Sequence, residues 1–319
     1  MKQILCFFVL FCTFNFAGFA STKADSSFTE TPITLHTPTG DIFGTLTIPK
    51  ANPVMPVVLM IAGSGPTDRN GNNPIVKGAN NNFKQIAEAL AEAGIASLRF
   101  DKRGIAESAK AMKREADLRF DDYINDAEAW IDLLKKDKRF NKIVVIGHSE
   151  GSLVGMVAAK HAAKYISIAG AGRSIDIILK EQLSSKPPEA REVYYSVIDS
   201  MKAGIVVKNV KFQYYDLLRP SIQPYMISWI KYDPQVEIKK LTIPVLILQG
   251  TNDLQVKEED AKKLAEAYPK ATLLLVENMN HVSKIVTGDT DENIKAYGDP
   301  SLPIAPVLIK AIIDFIHAK

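Results

Sequence analysis

Apolar residues along the chain fall into two kinds of run. Those at 57–62, 96–100, 143–146, 165–169, 245–248 and 272–276 are short and predominantly apolar. That is the pattern of strands buried on both faces. Between them, 83–93, 120–136, 152–164, 258–268 and 305–317 carry apolar residues at helical spacing. In 120–136 the stripe is Ile124, Ala127, Trp130, Ile131 and Leu134. Ahead of these, the alternating segments 33–37 and 42–48 flank Pro38-Thr39-Gly40-Asp41, which predicts an antiparallel hairpin. Strands alternating with helices predict an α/β fold: a mostly parallel sheet with helices on both faces. Binding sites in such sheets lie beyond the carboxyl ends of the strands.

The alternation lapses over 172–240. This stretch is helical and aromatic, with Tyr194, Tyr195, Phe212, Tyr214, Tyr215, Tyr225, Trp229 and Tyr232. It reads as a mainly helical cap inserted between two parts of one core, 21–171 and 241–319. Residues 1–20 differ again. Lys2 precedes an apolar stretch that ends in Ala17-Gly18-Phe19-Ala20, too short to span a bilayer and closed by small residues. It predicts a signal peptide cleaved after Ala20, and therefore a secreted or periplasmic protein with no membrane span after cleavage. Both cysteines, Cys6 and Cys12, lie in it, so the mature chain would offer no thiolate or disulfide.

Composition narrows the function without naming it. The 319 residues are 46% apolar, with 39 Lys plus Arg against 36 Asp plus Glu. Disorder is excluded, and no basic stripe suggests nucleic acid. There is no G-x-G-x-x-G after the first strand, no P-loop and no H-E-x-x-H, so neither cofactor nor metal is expected.

Chemistry enters at Gly147-His148-Ser149-Glu150-Gly151, directly after one buried run and directly before a helical pattern. A serine on so tight a strand-to-helix turn needs small flanking residues, and glycine stands two positions before and after it. A serine hydroxyl attacks only with a base in reach, itself oriented by a carboxylate. Asp253, in Gly250-Thr251-Asn252-Asp253, and His281, in Asn280-His281, each follow a later strand. Of the five histidines, His36, His148, His161 and His317 are placed less suitably. The predicted triad is Ser149, Asp253 and His281. The oxyanion would be held by the N–H of Glu150 and by that of Ser64, with Gly65 as the alternative, in Ala62-Gly63-Ser64-Gly65-Pro66.

These motifs, with Asp68-Arg69-Asn70-Gly71 and Asp101-Lys102-Arg103-Gly104, resemble the α/β-hydrolase superfamily. Within it the chain is similar to bacterial carboxylesterases grouped with serine aminopeptidase-like hydrolases. The resemblance covers most of residues 31–319. It implies an α/β-hydrolase fold and hydrolysis of small-molecule carboxylic esters with short to medium acyl chains, by a serine esterase. A serine aminopeptidase or small-amide hydrolase is the alternative, and a non-catalytic hydrolase-fold binding protein the lesser one. Two departures stand out: Ala106 where family members often carry a second glycine, and Ala62-Gly63 where many have His-Gly. Asp101, Lys102 and Arg103 read as loop-bracing ion pairs. Oligomeric state is not expressed in the sequence.

Overall fold

The computed structural model describes residues 27–50 and 53–318. Residues 1–20, expected from the sequence to be a signal peptide, lie outside the described residues. Eight strands form one sheet: β1 (Phe28–Thr37), β2 (Gly40–Pro49), β3 (Met55–Ile61), β4 (Ala96–Phe100), β5 (Phe140–His148), β6 (Lys164–Ile168), β7 (Val245–Gly250) and β8 (Thr272–Val276). Their order across the sheet is β1-β2-β4-β3-β5-β6-β7-β8. The hairpin β1–β2 pairs antiparallel, as does β2 with β4, and every pair from β4 onward is parallel.

Each central strand buries both faces, so neighbouring side chains enter separate cores. Val57, Leu59 and Ile61 of β3 join one core, and Val58 and Met60 join the other. Helices α1 (Asn82–Glu92) and α11 (Pro306–His317) close the second core with Phe83, Ile86, Leu90, Leu308, Ile312 and Ile316. The first is closed by α2 (Phe120–Lys135), through the stripe seen in the sequence, with α3 (Glu150–Ala158) and α9 (Glu258–Ala267). Between β6 and β7 lie α4 (Ile175–Gln182), α5 (Pro188–Lys202), α6 (Tyr215–Leu218), α7 (Gln223–Ile230) and α8 (Pro234–Lys239). The short α10 (Thr290–Ala296) follows β8.

Two elements differ from expectation. The helix expected over 152–164 begins at Glu150, loosens after Ala158, and gives Lys164 to β6, where it pairs with Val144. Alanines extend a helical pattern locally, but the ladder with β5 takes the last residues. Helix α10 was not expected at all. Only Asn293 and Ala296 of its seven residues are buried, so it has no apolar period to detect. The Asp289 carboxylate starts it by accepting from the Glu292 N–H at 3.0 Å.

Candidate active site

Ser149 stands between β5 and α3 at φ +55°, ψ −123°, a backbone region that non-glycine residues seldom occupy. The surrounding glycines explain how the turn closes. A Cβ on Gly147 would fall 2.2 Å from the Gly151 carbonyl oxygen, and one on Gly151 would fall 2.3 Å from that of Ile61. A side chain at Gly147 would force β5 and α3 apart, and one at Gly151 would force β3 and α3 apart.

Asp253 and His281 come to the same end of the sheet from the turns after β7 and β8. His281 Nδ1 donates to Asp253 Oδ2 at 2.8 Å. The other carboxylate oxygen accepts the backbone N–H groups of Gln255, at 2.7 Å, and Val256, at 3.0 Å. Burial pushes the Asp253 carboxyl up, but the facing imidazole and these donors outweigh it and hold the group below the usual carboxylate range. With Nδ1 donating to a carboxylate, Nε2 of His281 is left as the basic nitrogen. Ser149 and His281 line one cavity.

A second imidazole supports the first. His148 packs against His281 with ring centroids 4.7 Å apart, and its Nε2 lies 2.8 Å from the His281 carbonyl oxygen. Burial, then the neighbouring His281, push His148 down to about 3, so it is neutral. A carbonyl only accepts, so His148 Nε2 carries the proton and fixes the His281 backbone.

The Glu150 side chain turns inward. Its carboxylate accepts from the Tyr225 hydroxyl and lies 3.3 Å from Lys102 Nζ. The same ammonium donates to the Gly63 carbonyl. Lys102 thus ties the loop after β3 to the turn carrying Ser149, with both charges buried. Asp101 accepts from Arg69 Nε at 3.1 Å, and Arg103 donates from Nε to Asp126 at 2.8 Å. These three residues brace loops, as their sequence context suggested. Ala106 sits at φ +44°, the conformation a glycine would take without strain.

Ser149 opens onto two spaces. One, of about 120 Å³, is lined by His281, Asn73, Asn80, Asn82, Gln255 and Tyr297, among others. The other, of about 280 Å³, is lined by Glu150, Leu153, Ile178, Leu179, Met226 and Trp229, among others. Ser64 borders both; Gly65 borders neither. Of the aromatic residues between β6 and β7, Trp229 alone reaches these spaces, while Tyr225, Tyr194 and Tyr214 pack against other rings. Gln255 and Tyr297 carry no sequence signal: neither belongs to a motif, and the second follows α10, a helix without an apolar period. Among the described residues no group of three or more His, Cys, Asp or Glu is placed to hold a metal. None of their helices is long and apolar enough to cross a membrane.

An eight-stranded, mostly parallel sheet with helices on both faces and a serine on the β5–α3 turn defines the α/β-hydrolase fold. Comparison with known proteins agrees. The family described as Hydrolase_4, serine aminopeptidase S33, matches residues 78–177. Esterase EstD of Thermotoga maritima is 27% identical over 261 residues, which are 80% of this chain and 60% of that protein; the chain thus spans well under two thirds of its relative's length. Among solved structures, Est1E of Butyrivibrio proteoclasticus with bound ferulic acid shares the fold at TM-score 0.59 and 17% identity, over 89% of this chain and 97% of that one. Esterase PF2001 of Pyrococcus furiosus does so at 0.53 and 18%, over 81% and 85%. Together these findings make the chain similar to esterase-like α/β-hydrolases and show that it shares their fold.

Proposed function

We propose that the chain is a serine esterase that cleaves carboxylic esters through an acyl-enzyme on Ser149. The buried His281–Asp253 hydrogen bond, at 2.8 Å and facing the cavity that Ser149 enters on its strained turn, carries this reading. In the first step Ser149 Oγ bonds to the acyl carbon while His281 Nε2 takes its proton, and Asp253 stabilises the imidazolium. The carbonyl oxygen, now negative, accepts from the backbone N–H groups of Glu150 and Ser64, each worth about 3 kcal/mol of barrier. Ser64 is favoured over Gly65 because it borders Ser149's cavities. The C–O bond then breaks, and the alcohol leaves with the proton from His281. Water attacks the acyl-enzyme with His281 as base again, releasing the acid and restoring Ser149.

The larger cavity, with Leu153, Ile178, Leu179, Met226 and Trp229, suits a short to medium acyl chain. The aminopeptidase alternative needs a free carboxylate for the substrate's ammonium group. Glu150 is the acidic residue bordering these cavities, and Lys102 and Tyr225 already occupy it. The helices between β6 and β7 act in this reading as the cap over the acyl site. Export, expected from residues 1–20, belongs to the same proposal.

The test is turnover of p-nitrophenyl esters of graded chain length by the chain from Ser21 and by its Ser149→Ala variant. We expect activity in the first and a loss of several orders of magnitude in the second. Equal rates in both, or faster turnover of aminoacyl anilides than of esters, would overturn the reading.

A further inference from the structure

The two cavities at Ser149 differ in chemistry, and the order of proton transfers assigns one half of the ester to each. The alcohol oxygen must face His281, because that ring returns the proton as the C–O bond breaks. His281 borders the smaller cavity and not the larger. The alcohol half therefore occupies the smaller one, and the acyl half lies along Leu153, Ile178 and Leu179 in the larger.

No Asp, Glu, Lys or Arg lines the smaller cavity. Besides His148 and His281, its polar side chains are the carboxamides of Asn73, Asn80, Asn82 and Gln255 and the hydroxyls of Ser64, Thr67, Ser149 and Tyr297. Asn80 is committed to the fold, donating to the carbonyls of Gly71 and Tyr297 at 3.1 and 3.3 Å. Tyr297 is not. Its hydroxyl is buried beside Gln255 and the backbone of Leu254 and His281, yet has no aligned hydrogen-bond partner. A buried hydroxyl left unmatched costs about 1–3 kcal/mol, and a ligand oxygen placed there recovers that cost. Burial, then the Asp253 charge, raise the phenol further, so it is present as an O–H donor.

We propose that this cavity is an alcohol subsite selective for an uncharged, multiply hydroxylated alcohol such as a polyol or sugar, with Tyr297 as a specificity-determining donor. The inference rests on the esterase reading. A cationic alcohol finds no counter-charge in the lining, and an alkyl alcohol leaves the Tyr297 hydroxyl desolvated without a partner.

The experiment holds the acyl group constant. kcat/KM is measured for glycerol monobutyrate, a monobutyryl glucose, hexyl butyrate, butyrylcholine and p-nitrophenyl butyrate. The hydroxylated esters should exceed hexyl butyrate and butyrylcholine by about tenfold. In Tyr297→Phe that preference should shrink by roughly three- to tenfold, the worth of one hydrogen bond, with KM carrying the change for the hydroxylated esters. Turnover of p-nitrophenyl butyrate without any preference for hydroxylated alcohols overturns the subsite and leaves the esterase reading standing. An unchanged preference in Tyr297→Phe overturns the role of Tyr297. Turnover of none of the five esters overturns both readings together.

Discussion

The buried ammonium of Lys102 links the two arms expected to hold the oxyanion, which makes its removal measurable in two ways. In Lys102→Met the methionine keeps most of the stem's volume but removes the charge. The Gly63 carbonyl loses its donor, and the Glu150 carboxylate, whose side chain is only 4% exposed, keeps the Tyr225 hydroxyl alone. Breaking a buried ion pair from one side costs about 3–5 kcal/mol, because the surviving charge stays out of water. At roughly 2 °C per kcal/mol for a chain of this size, the melting temperature should fall by about 6–10 °C. Adding Glu150→Gln removes the stranded charge, so the double variant should be more stable than Lys102→Met alone. A double-mutant cycle by denaturant unfolding should show coupling above about 1 kcal/mol. The freed Gly63 loop should also lower kcat for p-nitrophenyl butyrate more than it raises KM. A Lys102→Met protein melting within about 2 °C of the parent, with no coupling to Glu150, would refute the view that this pair clamps the loop.

Two further outcomes follow from the site. Because the Asp253 carboxyl is held below its ordinary value, it contributes stability that is present above the unfolded-state value near 4 and is lost as pH falls toward the lowered one. Asp253→Asn should therefore lose less stability than the parent between pH 5 and pH 3 in urea unfolding; identical slopes would contradict the direction of the shift. Ile178→Trp should fill part of the larger cavity and move the best p-nitrophenyl ester to a shorter acyl chain, and an unchanged optimum would place the acyl chain elsewhere.

Much of this protein was legible in its sequence, for a physical reason. Strands buried on both faces must be apolar throughout, and helices covering them must carry an apolar stripe, so 57–62, 143–146 and 120–136 announced β3, β5 and α2. The Ser149 turn was equally plain, since its backbone geometry excludes side chains at Gly147 and Gly151. Asp253 and His281 could be chosen because each follows a strand in the expected order. What depends on contacts between distant segments carried no local sign. Nothing near His148 indicates that its ring would hold the His281 carbonyl 133 residues away. Lys102 meets Gly63 and Glu150 only because β4, β3 and β5 lie side by side in the sheet. Tyr297 reaches the site just past the end of a polar helix with no apolar period, and the contrast between the two cavities exists only where loops from separate strand ends converge. Periodicity reports how one segment is buried; which side chains then share a cavity is decided by the packing of segments that the chain itself keeps far apart.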